Sequence, residues 1–139
     1  MSYYFSTKVV GTFDDVLERT RQALKTQGFG VISEIDIQAA LREKIGVDFR
    51  RYTILGACNP ALAYEALQID DKVGTMLPCN VVVQQGAGMI EVAAIDPVAS
   101  MQAIRNVELS AKAAIVAEKL KSAIETLRLG AQAVGSPAS

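Results

Sequence analysis

Two cysteines, Cys58 and Cys79, are the residues of this chain best able to do chemistry. Each is followed by an asparagine and lies near a proline, in Ala57-Cys58-Asn59-Pro60 and Pro78-Cys79-Asn80-Val81. A thiolate is a nucleophile, a redox centre and a ligand for soft metals such as Cu(I). An asparagine amide beside it both donates and accepts hydrogen bonds. A helix opening at Pro60 would aim free N–H groups and positive dipole at the same place, a setting that lowers a thiol's pKa and favours anions. The candidate ligand-binding set is therefore Cys58, Asn59, Cys79 and Asn80, together with Glu34 as a carboxylate and Arg51 as a cation. It coheres only if the strands ending at Cys58 and starting at Cys79 are antiparallel neighbours.

Each of these residues also has a plainer reading. A free cysteine is commonly a small buried hydrophobe, and an asparagine beside it is commonly a cap or turn residue. Glu34 then becomes a solvated strand residue and Arg51 an ordinary surface ion pair. Two cysteines make an incomplete zinc site, so a metal would need Met76, carboxylates or a second subunit. The chain has no histidine, which removes His-based acid–base catalysis, Ser-His-Asp and Cys-His pairs, and most familiar zinc or iron sites. Without it, a thiol enzyme would use Glu34 or Glu91 as base, or a thiolate preformed by Lys44, Arg51 or the helix end.

The elements that must position these residues fit one domain of residues 1–129, followed by a flexible tail at 130–139 rich in Gly, Ala and Ser. Lys and Arg number 14 against 15 Asp and Glu, in no long run, so no field exists to attract nucleic acid. No signal peptide and no membrane-length apolar run is visible, so a cytoplasmic setting with reduced, free thiols is expected.

Alternation from Tyr3 to Val10 predicts a first strand. Thr12 N-caps a helix whose apolar face is Phe13, Val16, Leu17, Thr20, Ala23 and Leu24, closed by Gly28. A second strand spans Phe29–Asp36, with Phe29, Val31, Ser33 and Ile35 on one face; Asp36 caps a short helix ended by Gly46. A third strand, Arg50–Cys58, puts Tyr52, Ile54, Gly56 and Cys58 on one face, with Gly56 marking a close approach. Asn59 and Pro60 open another short helix, and Gln68–Met76 reads as polar and turn-like. Cys79–Gln85 and Met89–Ile95 form a hairpin. After Pro97 come one or two turns, then a helix from Asn106 or Val107 to Arg128 whose stripe is Leu109, Ala113, Val116, Leu120, Ile124 and Leu127, with Glu108–Lys112 as a pair on its wet side. The class is α+β: a mostly antiparallel sheet in β-α-β4-α order with short inserted helices and a long C-terminal helix packed on the sheet.

Gly30, Glu34, Lys44 and Phe49, the run Ile54-Leu55-Gly56-Ala57-Cys58-Asn59-Pro60, and Leu77-Pro78-Cys79-Asn80-Val81 resemble the domain-of-unknown-function 302 family, from about Phe5 to Leu127. The resemblance implies a β-α-β4-α fold like a TATA-binding-protein half, and a homodimer. It assigns no reaction, catalytic residue or cofactor. The expected function is a homodimeric binding module with a small-molecule, anion or soft-metal pocket near the cysteines, with no nucleic-acid or membrane partner. The alternatives are a thiol-dependent or redox enzyme using Cys58 or Cys79, and an interaction platform without a small-molecule site.

Overall fold

The computed structural model describes the backbone of residues 2–138 and the side chains of residues 2–128. Five strands, β1 (Tyr4–Val9), β2 (Gly30–Asp36), β3 (Tyr52–Cys58), β4 (Cys79–Gln85) and β5 (Ile90–Ile95), form one sheet in the order β1-β5-β4-β3-β2. Every neighbouring pair is antiparallel. Strands β2 to β5 therefore meander, and β1 closes the far edge beside β5. Helix α1 (Phe13–Thr26) carries the chain from one edge strand to the other.

Local sequence explains why the helices start and stop where they do. Thr12 accepts a hydrogen bond from the Asp15 N–H at 3.2 Å and opens α1. The six residues of its apolar face, Phe13, Val16, Leu17, Thr20, Ala23 and Leu24, are all buried. Asp36 caps α2 (Ile37–Ile45), and Gly46 ends it in the left-handed region at φ 68°, where a Cβ would be strained. Asn59 caps α3 (Pro60–Ile69). The stretch expected to be turn-like forms a 3-10 helix, Asp71–Met76, opened by Asp70.

A short α4 (Pro97–Ser100) leads to α5 (Val107–Ala138). The backbone of α5 continues through the segment expected to be a tail; side chains from residue 129 onward lie outside the described residues. Among the described residues, no helix is long and apolar enough to cross a membrane.

Helices α1 and α5 cover one face of the sheet. Val9, Leu55, Val81, Val83, Ile90 and Val92 from the strands meet Val16, Leu24, Leu120 and Ile124 from the helices in one dry layer. A smaller cluster, Ala66, Val73 and Leu109, joins α3 and the 3-10 helix to the start of α5. The opposite face stays open. There Tyr4 and Ile35 are exposed, and Tyr52, Ile54, Val82, Ala93 and Ile95 are half-buried.

The face assignment for β2 needs correction. Strict alternation would put Val31 and Ser33 on the same side, but the register with β3 shifts between them, leaving Ile32 as an extra residue. Val31 packs on the core, whereas Ser33 lies across from Gly56. Gly56 is a close approach, as its sequence context predicts: a Cβ there would lie 2.1 Å from Ser33 Oγ and 2.7 Å from Pro78 Cγ.

Candidate functional site

Strands β3 and β4 pair so that Ala57 faces Cys79, which sets Cys58 one residue beyond at the same end of the sheet. The two cysteines therefore lie at one rim of the sheet, and neither is in a disulfide. Beyond the strand ends, α3 and the 3-10 helix pack against the start of α5. The gap between them is a cavity of about 270 Å³. Its walls are Phe29 and Ala57 of the sheet side, Leu62 and Ala66 of α3, and Leu109 and Ala113 of α5. Cys58, Asn59 and Cys79 line it together. Ile32, swung out by the bulge in β2, and Leu67 contribute exposed apolar surface to the same lining.

The electrostatics differ from those of an activated thiol. Cys79 is buried, and burial, with the neighbouring Cys58 adding to it, pushes its thiol up from 9.0 to about 11. At neutral pH it is a protonated, apolar-like group. The end of α3 offers less positive potential than its sequence implies, because Asn59 Oδ1 accepts the Leu62 N–H at 3.3 Å. Asn59 is thus a cap that also lines the cavity.

The other sequence candidates lie elsewhere. Asn80 pairs with Gly56 on the open face of the sheet, beside a separate depression of about 350 Å³ bordered by Tyr4, Tyr52 and Glu91. Alternation along β4 sends Cys79 and Asn80 to opposite sides, so only the cysteine faces α5. Glu34 forms an ion pair with Arg21 of α1. Arg51 donates to Asp14 at 2.8 Å and lays its guanidinium 4.2 Å over the Phe13 ring, clamping β3 to the start of α1. Glu91 accepts from Gln84 Nε2 on the open face. None of Asn80, Glu34, Arg51, Glu91 or Lys44 lines the cavity.

Lys112 of α5 does line it, and its role is invisible in the sequence. The spacing points to a pair with Glu108 on the wet side of the helix. Instead Lys112 Nζ forms an ion pair with Glu65 of α3, joining the two helices that flank the cavity. Only the fold brings residues 47 positions apart together in this way. Among the described residues, no group of three or more His, Cys, Asp or Glu side chains gathers where a metal could be held.

Comparison with known proteins bears directly on this architecture. A family model described as "Domain of unknown function DUF302" matches residues 5–127. The chain belongs to the DUF302 family. Among solved structures, it is similar to that of an uncharacterized conserved DUF302 protein from Bacillus stearothermophilus, with 28% identity and a TM-score of 0.85. The similarity covers 91% of this chain and 99% of that one. No curated protein matches. The matched segment of this DUF302 domain takes in β1 from Phe5, the other four strands and the cavity, and ends at Leu127, the last residue of α5 that is buried among the described side chains.

Proposed function

We propose that this DUF302 domain is a binding module for a small, largely apolar organic molecule, held in the cavity between α3, the 3-10 helix and α5. The observation that carries the reading is the lining itself: about 270 Å³ of space walled by aliphatic and aromatic side chains, with few polar groups and both cysteines at one side. A well-formed apolar hollow with a few convergent polar groups is the usual form of a small-molecule site. A soft metal fits less well, since Cys79 holds its proton, and a small inorganic anion would meet mostly hydrocarbon in the lining. A thiol enzyme here would need a base or cation beside the sulfur, and the ionised side chain in the lining, Lys112, is already paired with Glu65.

The reading includes a second copy of the chain, in a reducing cytoplasm. Support for the dimer is the open sheet face, where Tyr4 and Ile35 stand exposed beside half-buried Ile54, Val82 and Ile95. Contiguous apolar surface of this kind marks an interaction site, and a two-fold pair is the commonest way to cover it.

Indole is a suitable probe for the cavity. It should raise the melting temperature of the protein and slow alkylation of Cys58, which is only half-buried. Ala113→Leu, which extends a cavity-wall side chain into the space, should remove both effects while the variant remains folded. Indole and related bicyclic compounds leaving the wild type unchanged in both assays would sink the reading.

A further inference from the structure

Resting on the cavity reading, we infer that the ligand is an amphipathic carboxylate: an apolar tail in the cavity and a single carboxylate on Lys112, in the place Glu65 now takes. Three observations converge on this. The cavity wall is apolar, so it selects a tail. Lys112 both lines the cavity and reaches solvent, with 30% of its side chain exposed, so it connects the dry interior to the rim. Its ammonium already holds the carboxylate of Glu65, whose own side chain is 45% exposed and tied to no strand. An incoming carboxylate would displace Glu65 into water at little loss, since half-exposed ion pairs contribute little to stability, and, reaching the ammonium from the apolar side of the cavity, it would make the less screened and stronger pair.

Size sets the length of the tail. A cavity of roughly 150 Å³ takes the six carbons of benzene, about 25 Å³ each, so 270 Å³ holds about ten or eleven non-hydrogen atoms. Octanoate has the matching size. A dicarboxylate would leave its second charge against Leu62, Ala66 and Leu109, which is unfavourable without a partner. The apolar tail predicts a steady dependence on length, with each CH₂ removed weakening binding about fourfold.

The test is calorimetric titration of the full chain with octanoate and with 1-octanol, in the wild type, Lys112→Met and Glu65→Gln. Octanoate should bind the wild type about tenfold more tightly than octanol, the usual scale for one charge-assisted hydrogen bond. Lys112→Met keeps the aliphatic stem; it should bring octanoate down to the level of octanol and leave octanol unchanged. Glu65→Gln removes the competing carboxylate and should tighten octanoate several-fold. Octanol binding as tightly as octanoate, or Lys112→Met leaving octanoate unaffected, would overturn the carboxylate inference while the apolar cavity reading stood. Binding of neither compound to the wild type would overturn both.

Discussion

At the scale of single residues, Gly56 and Cys79 show how the same few positions serve packing before chemistry. A methyl group on Gly56 would meet Ser33 Oγ, which can rotate away, and Pro78 Cγ, which cannot. Gly56→Ala should therefore destabilise the domain by about 1–3 kcal/mol, the usual range for overpacking, as read by urea unfolding. Adding Ser33→Ala should recover only part of the loss, because the proline contact remains. Cys79 gives a pH signature. Its thiol in the folded chain keeps its proton until pH approaches 11, whereas an unfolded cysteine titrates near 9.0. The raised value favours the folded state fully below about pH 9, and that contribution is lost as pH rises to 11. Stability of the wild type should fall over this window by about 2–3 kcal/mol more than that of Cys79→Ala, in parallel denaturation series. The order of the strands is enough to place both cysteines at one rim of the sheet. It could not reveal that Cys79 is buried while Cys58 is only half-buried, because burial depends on the helices that pack on the sheet from distant parts of the chain.

At the scale of elements, caps were the most legible feature and bulges the least. Thr12, Asp36 and Asn59 each accept the backbone N–H three residues on, as their types and positions predict. Such a bond is local, and its partners are fixed by spacing alone. Asn59→Ala should lower stability by about 1 kcal/mol, whereas Asn59→Asp should hold it, because a carboxylate both caps and complements the helix dipole. Thermal melting of the two variants beside the wild type checks this; equal losses would mean that Asn59 acts through the cavity and not through α3. The bulge at Ile32 leaves no mark in the sequence, since Val31, Ile32 and Ser33 read as ordinary strand residues. The half of the candidate site that failed to assemble has a similar origin. Type alone groups Glu34 and Arg51 with the thiols, and adjacency to Cys79 adds Asn80, but strand alternation and the partners Arg21 and Asp14 hold them on other surfaces.

At the scale of the whole molecule, the sheet has one dry face and one open one, and the open one fixes a prediction about assembly. Val82 sits between Ile54 and Ala93 at its centre. If a second copy covers this face, Val82→Lys should convert a dimer to a monomer in sedimentation equilibrium without changing far-ultraviolet dichroism, because the side chain points away from the α1–α5 core. A wild-type monomer would remove the second copy from the proposed function and leave the cavity intact. Helix α5 spans both apolar clusters: Leu109 belongs to the one around α3, and Leu120, Ala123, Ile124 and Leu127 to the one under the sheet. Support and selectivity are thereby assigned to separate stretches of a single rod. An engineer wishing to retune what this scaffold accepts could vary positions 109, 112 and 113 and keep 120 to 127 as an untouched keel.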